Sequence, residues 1–590
     1  MSAGGISIRT YFSTEKDSFQ MKFDIIFVTY NSKKWLRGNL ESIIKSDYDL
    51  KSEVSLFYYD NKSTDDTLAE LDALKAEYGD CFAEFTVIRG NKNKGFGYGN
   101  DKAARCGHSE YVFFLNTDTE IKPDTLSGLE KRIKANEDVF SVFELRQEPY
   151  EHPKYYDPVT GETSWASGAC LVFKREVYEK TGGFDKNLFM YSEDVEICWR
   201  ARNSGCRIKY LFDLGINHYS YQNPGQFKWI SYVYGHVNNL YLRCKYGTLK
   251  NALKGAYLTV RGMVRCPNPS LTKKENNRIK RKIRKTFFGM FFKYIGARIY
   301  KHTHKAAPEF APKFVNEFDY ELNKVNLYRS PQSDRIDNDV TVSVIVRTCG
   351  RPAVLRETLK SLRNQSYPNL EIVVVEDGEN KSEQVVKEEF GDLNLKYQAT
   401  GEHVGRSKAG NIALSLATGD YFNFLDDDDL FYFDHVEVLV NEAVKHGYDI
   451  VYDTAFEAQA NVRSTDPYEY DVLFMTIRGF SRYNKMRLYT NNIFPIQTVM
   501  FSRKVYEECG GFDENMDALE DWDLWIRFSE KYRFNYVNDT TSIYKVPCDT
   551  NVSAERQLLL DKYLKYVIEK YSDKKVELTF SDLYYFLNNI

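Results

Sequence analysis

Five apolar residues lead directly into three polar ones in Tyr111-Val112-Phe113-Phe114-Leu115-Asn116-Thr117-Asp118. A short apolar run rich in aromatic and β-branched residues is typical of a buried strand. The arrangement recurs 310 positions later in Tyr421-Phe422-Asn423-Phe424-Leu425-Asp426-Asp427-Asp428. Open α/β sheets bind ligands at the carboxyl ends of their strands, so both stretches predict a sheet edge that carries acidic side chains.

A longer repeat follows each of these stretches. The segment from Phe173 to Asp185 matches the segment from Phe501 to Asp513, and nine of the thirteen positions are identical. Soon after each copy comes the pattern Glu-Asp-x-acid-apolar-x-x-Arg, which begins at Glu193 and at Glu520. Matches that recur in the same order at a nearly constant offset indicate two homologous domains.

Composition and length agree with two soluble α/β domains. The chain has 590 residues, too many for one core, and a net charge of −4, which gives no global basic field. The ten cysteines are scattered and include no Cys-x-x-Cys pair, so we expect neither a zinc site nor a disulfide framework, and the pattern fits a reducing cytosol. We expect no signal peptide between Met1 and Phe19 and no bilayer-spanning helix, because no long apolar run occurs.

Strands alternate with helices in both repeats, which predicts mainly parallel sheets. We expect an N-terminal domain at 21–223, a helical basic linker at 224–339, a second domain at 340–552 and a helical tail at 553–590. The tail prediction depends on an amphipathic run from Ala554 to Lys570. In each domain two strands end in acid, at Asp60 and Asp118 and then at Asp377 and Asp428. A helix-capping role explains any one of these acids, but not the whole set in both copies.

The acids suit transfer of a group from a diphosphate donor. A hard divalent cation held by carboxylates can neutralise the charge that develops on a diphosphate leaving group, and Asp118 and the run Asp426 to Asp429 offer such ligands. Four adjacent acids repel one another unless a cation is bound, which favours a metal in the second domain. Asp194 and Asp521 are candidate general bases for an acceptor hydroxyl; the alternative is that they only complement a helix dipole.

Together these residues resemble glycosyltransferase family 2, a family of inverting enzymes with the GT-A fold, over both domains. The resemblance implies two GT-A domains, each an α/β fold with a Rossmann-like, mainly parallel sheet, joined by the basic helical linker. It implies catalytic bases at Asp194 and Asp521. It implies Mg²⁺ or Mn²⁺ held by Asp118, His218, Asp426 and Asp428. It implies nucleotide-sugar contacts from Thr29, Tyr30, Asn31, Asp60, Asn100 and Asn116, and from Thr348, Arg351, Asp377, Arg406, Asn411 and Asp426.

Details of the first domain resemble the rhamnosyltransferase and galactofuranosyltransferase branch of the family. They are the glycine-rich run from Lys94 to Asn100, the Asn116-Thr117-Asp118 stretch and the run from Phe189 to Asp194. The resemblance makes dTDP-rhamnose or a UDP-sugar the expected donor there. Two departures stand out: Asn116 replaces the first acid of the metal motif, and the second domain has no histidine after its Glu-Asp motif.

The linker contains a run of basic residues from Lys273 to Lys285, followed at once by the aromatic patch from Phe287 to Phe292. Basic residues beside an aromatic patch suit an anionic membrane surface, where a lipid-linked acceptor would be met. The alternative is an interdomain helix with a solvated basic face. Nucleic acid is not expected, because no nucleic-acid-binding fold accompanies the run.

The sequence therefore predicts a bifunctional inverting glycosyltransferase that extends a bacterial surface polysaccharide or its lipid-linked or oligosaccharide precursor. We expect it in the cytoplasm, peripheral to the inner face of the plasma membrane. Three alternatives remain open at this point. They are a single-activity enzyme with one domain serving as a carbohydrate-binding or scaffold module, a non-catalytic nucleotide-sugar sensor, and a processive copolymerase.

Overall fold

The computed structural model describes residues 22–219, 227–265, 268–304, 307, 310–315, 318–319, 339–479 and 482–587. The chain forms two compact units. The first comprises Met1–Gln147 with Thr163–Asp319, and the second comprises Glu148–Glu162 with Tyr320–Ile590.

The first unit contains an α/β sheet followed by four long helices. Its strands are β1 (Phe23–Thr29), β2 (Val54–Asp60), β3 (Glu84–Arg89), β4 (Tyr111–Leu115), β5 (Thr119–Glu120), β6 (Val142–Glu148), β7 (Glu162–Thr163), β8 (Cys170–Lys174), β9 (Ile208–His218), β10 (Phe314–Val315) and β11 (Phe318–Asp319). Its helices are α1 (Lys33–Ile44), α2 (Leu50–Glu53), α3 (Thr67–Tyr78), α4 (Phe96–Ala104), α5 (Thr125–Lys134), α6 (Arg175–Thr181), α7 (Glu193–Asn203), α8 (Trp229–Tyr246), α9 (Leu249–Val264), α10 (Lys273–Gly289) and α11 (Phe291–Thr303).

The second unit repeats the sheet and ends in two helices. Its strands are β12 (Val342–Thr348), β13 (Leu370–Glu376), β14 (Leu395–Ala399), β15 (Tyr421–Asp426), β16 (Leu430–Phe431), β17 (Ile450–Thr465), β18 (Tyr468–Arg478), β19 (Val499–Ser502) and β20 (Asn535–Pro547). Its helices are α12 (Pro352–Arg363), α13 (Glu383–Glu389), α14 (Arg406–Leu416), α15 (His435–His446), α16 (Lys485–Thr490), α17 (Arg503–Cys509), α18 (Glu520–Phe528), α19 (Thr550–Tyr571) and α20 (Phe580–Leu587). The tail helix expected from Ala554 to Lys570 lies within α19.

The two sheets have the same strand order. In the first it is β3-β2-β1-β4-β8-β6-β9-β5, and in the second it is β14-β13-β12-β15-β19-β17-β20-β16. Strands β1, β2, β3 and β4 pair in parallel, and β4 then pairs antiparallel with β8. The second sheet pairs in the same directions. The predicted duplicated α/β fold is therefore confirmed, and in each sheet the loops after the parallel strands share one edge.

Apolar side chains cover both faces of each sheet, as parallel strands require. In β1, Ile26 packs with one core cluster while Ile25 and Phe27 pack with the other, on opposite faces of the strand. Strand β12 divides in the same way between Ile345 and its neighbours Val344 and Val346. This alternation fixes which residues at the strand ends point along the sheet edge.

Helix α8 packs against α7 through buried charges as well as through apolar contacts. The carboxylate of Glu196 on α7 accepts hydrogen bonds from Lys245 Nζ and Tyr246 Oη, each at 2.7 Å, and pairs with Arg200. Buried carboxylates are stable only when such partners satisfy them. The helical region therefore belongs to the body of the first unit and supports the start of α7. None of the described helices is long and apolar enough to cross a bilayer.

Candidate active site

The ends of β1 and β2 form the first part of the site in the first unit. Thr29 lies level with Asp60 across the two parallel strands, and its hydroxyl donates to the Asp60 carboxylate at 2.9 Å. Asp60 is fully buried and also accepts from the backbone N–H of Ser63 at 2.9 Å. These bonds hold the carboxylate at the base of the loop rather than at its tip.

The residues after β1 turn sharply around this carboxylate. Asn31 has a φ of 55°, and its side-chain oxygen accepts from the N–H of Thr64 at 2.8 Å. Tyr30 is half exposed beside it. The turn leaves an aromatic face and a polar loop open to solvent at the sheet edge, which is the arrangement a nucleoside needs for stacking and hydrogen bonding.

In the second unit, the residue that corresponds to Asp60 lies one position before the acid that the sequence suggested. Strand register places Thr348 level with Glu376, so Glu376 and not Asp377 occupies the position of Asp60. Glu376 accepts from the N–H groups of Ser382 and Lys381 at 2.9 Å and 3.0 Å. Asp377 is buried and is held by the backbone N–H groups of Val404 and Gly405.

Two helices begin at glycines that face the same edge. Gly95 precedes α4 with a φ of 98°, and Gly405 precedes α14 with a φ of 91°, a conformation that side chains with a Cβ rarely adopt. Free N–H groups at a helix start favour anions such as a diphosphate. Arg406, the first residue of α14, lies half exposed with its guanidinium 3.7 Å from Glu520.

Asn100 and Asn411 lie deeper in these helices. Asn100 is buried and donates to the carbonyl of Phe96 at 3.3 Å. Asn411 accepts from the N–H of Phe512 at 2.7 Å and donates to the carbonyl of Phe512 at 3.0 Å. Its amide therefore positions the Gly-Gly-Phe-Asp turn, and a contact of Asn411 with a donor stays a prediction.

Asp118 and His218 meet at the end of β4 in the first unit. The antiparallel pairing of β5 with β9 places them side by side, and His218 Nε2 lies 3.5 Å from Asp118 Oδ1. His218 Nδ1 bonds Gln147 Oε1 at 2.7 Å, so the ring proton is held there and Nε2 keeps its lone pair. Burial alone would raise the pKa of Asp118, and the adjacent imidazole lowers it below its usual value when Nε2 also carries a proton.

The second unit places an arginine at the centre of its site. Arg347 Nη2 donates to Asp426 Oδ1 at 2.7 Å, and Arg347 Nη1 donates to Glu520 Oε1 at 2.8 Å. Arg347 is buried, as is Glu520, so one cation balances two acids that lie 94 positions apart in the sequence. In the first unit Val28 takes the place of Arg347 at the same register position.

The other acids of the run from Asp426 to Asp429 also have basic partners. Arg351 Nε donates to Asp427 at 3.1 Å, and its Nη1 lies 3.5 Å from Asp428. The backbone N–H of Lys545 donates to Asp429 at 3.0 Å, and its buried ammonium lies close to Asp428. A bound metal is therefore not the only source of positive charge for these acids, because basic side chains of the protein already offset part of their negative charge.

The Glu-Asp motif begins a helix at the same edge in both units. Asp194 accepts from the backbone N–H groups of Gly168 at 3.0 Å and Val195 at 2.8 Å. The carbonyl of Ala169, the residue after Gly168, accepts from the N–H of Asn116. The loop that contains Gly168 and Ala169 therefore links Asp194 to the end of β4. Asn238 on α8 holds this region by donating to the carbonyls of Met190 and Tyr191.

Backbone strain marks the start of both helices. Ser192 and Leu519, the residues just before the two motifs, have φ values of 67° and 59°. Such conformations cost free energy in residues other than glycine and tend to occur at functional sites. In each unit the strained residue turns the Glu-Asp pair toward the sheet edge.

Both motifs hold a carboxyl group with a raised pKa. Burial, together with the adjacent Asp194, raises the pKa of Glu193 to about 8. Burial, together with the adjacent Glu520, raises the pKa of Asp521 to about 7, while a hydrogen bond from Asn492 Nδ2 at 2.8 Å opposes that rise. A carboxylate with a pKa near neutrality is suited to act as a general base.

A family model described as glycosyl transferase family 2 matches residues 24–198 of this chain and again residues 343–510. The chain belongs to this family. The two matched regions begin within β1 and at β12, so each unit contains one copy of the family domain.

Among its relatives is an uncharacterized glycosyltransferase of Rickettsia typhi, 27% identical over 195 residues, which are 32% of this chain and 58% of that protein. WcaA of Escherichia coli K12, whose name refers to colanic acid biosynthesis, is 24% identical over 200 residues, 33% of this chain and 68% of its own. A solved mannosyltransferase of Pyrobaculum calidifontis in complex with GDP-Man and Mn²⁺ aligns with a TM-score of 0.33 and 15% identity, over 50% of this chain and 91% of that one.

The two glycosyltransferase units differ in how well their residues fit a divalent cation. In the first, the buried Nε2 of His218 has no hydrogen-bond partner among the described residues and lies beside Asp118, which makes an imidazole and a carboxylate available to one ion. In the second, Asp426 is bound to Arg347, and Asp428, whose side chain is 36% exposed, has Arg351 Nη1 3.5 Å away. The first unit therefore fits a metal better, although the sequence favoured the second.

Several interactions in these glycosyltransferase sites were not predicted. Gln147 and Asn492 each act on a predicted residue through a hydrogen bond, and the guanidinium of Arg347 joins Asp426 to Glu520. Cys349 and His403 lie near Asp377, with a thiol, an imidazole and a carboxylate atom all within 4.8 Å of one another. A polar residue at the end of a predicted strand was the one available signal for Arg347 and Cys349; the others required the register.

Proposed function

We propose that this family 2 protein is a bifunctional inverting glycosyltransferase that adds two sugars, one from each unit, to a bacterial surface polysaccharide or to its lipid-linked or oligosaccharide precursor. The observation that supports it most is the duplicated Glu-Asp carboxylate, Asp194 and Asp521, held by backbone N–H groups at the sheet edge in both units. A domain that served only as a scaffold would not need that strained arrangement twice.

In each unit the proposed reaction is one displacement at the anomeric carbon. Asp194 or Asp521 accepts the proton of an acceptor hydroxyl, whose oxygen attacks the anomeric carbon from the face opposite the nucleoside diphosphate. The bond from that carbon to the diphosphate oxygen breaks as the new glycosidic bond forms, so the configuration inverts. The starts of helices α4 and α14, which follow Gly95 and Gly405, would face the departing diphosphate with the positive ends of their dipoles.

The proposed metal is Mg²⁺ or Mn²⁺. Asp118 and His218 would hold it in the first unit, and Asp428 would contribute in the second. When bound, such an ion offsets the negative charge that develops on the diphosphate. In the second unit Arg351 and Arg406 supply further positive charge at the same edge.

Donor and acceptor are proposed more broadly. For the first unit we propose dTDP-rhamnose or a UDP-sugar, because residues 94–100 and 189–194 resemble the rhamnosyltransferase and galactofuranosyltransferase branch. Thr29, Tyr30, Asn31 and Asp60 would bind its nucleoside, as Thr348, Arg351 and Asp377 would in the second unit. The name of WcaA supports a polysaccharide acceptor. We propose that the protein acts in the cytoplasm at the inner face of the plasma membrane.

Separate substitutions test whether both units are active. The full-length chain is assayed for nucleoside diphosphate release and sugar transfer with a panel of nucleotide sugars, as wild type, Asp194→Asn and Asp521→Asn. Two active units predict that each variant loses a different transfer by at least about 10³-fold and keeps the other. Asp185→Asn and Asp513→Asn serve as matched controls for acids of the preceding repeat that are bound to lysines.

The alternatives give different results in the same assay. If one variant leaves every transfer unchanged, that unit is a binding or scaffold module and the bifunctional proposal is wrong. A sensor would release no nucleoside diphosphate with any donor, with or without chelator. A processive copolymerase would give products longer than two added sugars from one acceptor, whereas two single transfers stop at two.

A further inference from the structure

The helical part of the first unit has a charge unlike the rest of the chain. From Trp229 to His304 the sequence contains 17 Lys and Arg residues and one acidic residue, Glu275, whereas the whole chain has a net charge of −4. Seven of these basic side chains are exposed on α10: Lys273, Lys274, Arg278, Arg281, Lys282, Arg284 and Lys285. A local cationic field of this size attracts a polyanionic surface.

An apolar stripe lies along α9 within the same region. Five side chains of this helix are each more than half exposed: Leu249, Leu253, Tyr257, Val260 and Val264. Their spacing of three or four residues places them on one face of the helix. Lys250, Lys254 and Arg261 are exposed beside them. Basic residues that flank an apolar stripe are typical of helices that lie in a membrane interface.

The face of α9 opposite the stripe packs closely against α8, so the helix cannot rotate to bury the stripe. Gly255 and Gly262 lie against α8, where a Cβ on Gly262 would come within 2.5 Å of the His236 ring and one on Gly255 within 2.7 Å of Arg243. Thr259, buried between them, donates to the carbonyl of His236 at 3.1 Å. The small residues therefore fix the rotation of α9 and keep the stripe facing outward.

The end of α10 and the start of α11 carry a second group of exposed apolar residues. Phe288, Phe292, Ile295 and Ile299 are spaced by three or four residues, and Phe292 is 83% exposed. Met290, Tyr294 and Ala297 on the other side are buried. The aromatic patch expected from Phe287 to Phe292 is thus divided, with Phe287 packed inward against Tyr294 and its neighbours turned out.

We propose that this basic and apolar surface of α9, α10 and α11 docks onto an anionic lipid bilayer, with the apolar stripe entering the headgroup region and the basic residues facing the lipid phosphates. Exposed Leu, Val and Phe side chains are stabilised when they leave water, and nucleic acid offers them no apolar phase. A protein partner would have to match the seven exposed basic side chains of α10 together with Lys250, Lys254 and Arg261, whereas a bilayer containing anionic lipid presents them with a continuous field. The proposal depends on this surface and does not require the sugar-transfer activity.

The test measures partition of the full-length protein onto vesicles. Protein is sedimented with vesicles of phosphatidylcholine alone or with one-third phosphatidylglycerol, at two salt concentrations. We expect binding to the anionic vesicles, weakened by salt. We expect Leu253→Gln with Tyr257→Gln to lower the partition coefficient at least about tenfold, and Lys250→Gln with Lys254→Gln to lower it to a similar extent.

A matched pair of substitutions tests the specificity of the surface. Leu558 and Ile568 on α19 are 72% and 59% exposed, and these exposed fractions are similar to those of Leu253 and Tyr257. Helix α19, however, carries acidic and basic residues in nearly equal number. Leu558→Gln with Ile568→Gln should leave the partition coefficient unchanged. Far-ultraviolet circular dichroism and nucleoside diphosphate release in a soluble assay show whether each variant is folded.

Three results would overturn the proposal. The first is equal binding of the wild type to neutral and anionic vesicles. The second is an unchanged partition coefficient in the Leu253→Gln, Tyr257→Gln variant. This holds also if that variant turns an oligomer into a monomer, because the stripe would then bind a second copy of the chain. The third is tight binding of the protein to a nucleic acid duplex that the Leu253→Gln, Tyr257→Gln variant retains while vesicles fail to bind. Loss of sugar transfer with intact vesicle binding would contradict the proposed function alone.

Discussion

The Nε2 atom of His218 lies 3.5 Å from Oδ1 of Asp118, and nothing else among the described residues bonds that nitrogen. Gln147 fixes the ring from the other side at 2.7 Å. A histidine whose second nitrogen is held by an outer residue presents its lone pair in one direction, which is how proteins prepare an imidazole for a cation. The first unit thus contains an oriented pair of ligands in place of a complete Asp-x-Asp motif.

We therefore expect Gln147→Leu to weaken the apparent affinity of the first transfer for Mn²⁺ or Mg²⁺ by about 10- to 100-fold. Without its acceptor, the His218 ring can turn and change tautomer. The measurement is the rate of the first transfer against metal concentration after treatment with chelator. Gln147→Glu, which keeps an acceptor oxygen, should restore most of the affinity, and His446→Gln, at the exposed last residue of α15, is the control. A lower rate at every metal concentration with an unchanged midpoint would contradict this role.

Arg347 makes the second unit sensitive to charge at one position. Arg347→Met leaves the partly buried Asp426 and the buried Glu520 without their shared cation, and breaking a buried ion pair costs about 3–5 kcal/mol. We expect a lower unfolding temperature and loss of the second transfer only. Adding Asp426→Asn and Glu520→Gln to Arg347→Met removes the uncompensated charge and should recover much of the stability, but not the activity.

Thermal unfolding of the full-length chain measures this prediction, with both transfers assayed on the same samples. Arg356→Met is the control, because Arg356 pairs with Glu389 at the surface and should cost at most about 1 kcal/mol. If the triple variant is no more stable than Arg347→Met, charge compensation is not what Arg347 provides.

The pH dependence of the second transfer should follow the Asp521 carboxyl group. Its pKa of about 7 means that the base is protonated below neutrality and free above it, so kcat/KM should rise with pH and level off above about 7. The hydrogen bond from Asn492 favours the charged form and lowers that pKa. Asn492→Ala removes this bond, so the midpoint should move to higher pH.

The neighbouring Asn491→Ala is the control, because the amide of Asn491 bonds Thr490 at the surface. Rates of the second transfer are measured from pH 5.5 to 9 for the wild type and both variants, with donor below its KM. A uniform loss of rate in Asn492→Ala, with the same midpoint as the wild type, would show that Asn492 acts on structure alone.

The sequence could predict the fold because its signals were local and repeated. Apolar runs ending in acids marked β4 and β15, and the same run-and-acid pattern recurred in the same order, so the duplicated sheet required no long-range information. The site was harder because it depends on register. The end of a strand cannot be located to one residue from its sequence, which is why Asp377 was aligned with Asp60 although Glu376 lies at that position.

Compensation between distant residues was also beyond the sequence. Arg347 and Glu520 are separated by 173 positions, and only the packed fold brings the guanidinium to the carboxylate. The run from Asp426 to Asp429 indicated repulsion, and a bound metal was the one cation that the sequence suggested. The structure supplies Arg347, Arg351 and Lys545 in addition. A charge cluster therefore identified the right place but not the cations that balance it.

Cys349 provides a chemical probe of the second site. This thiol is exposed, and with His403 it lies close to Asp377, the predicted contact for the nucleoside. We expect N-ethylmaleimide to block the second transfer while the first is largely retained, since an added succinimide group at Cys349 would occupy the space beside Asp377. Nucleoside diphosphate should slow the inactivation, and Cys349→Ser should remain active and become resistant to the reagent.

Cys81→Ser with Cys106→Ser, which removes two exposed thiols of the first unit, should stay as sensitive as the wild type. Inactivation of Cys349→Ser at the wild-type rate would place the reactive thiol elsewhere and would remove this support for a nucleoside site at Asp377.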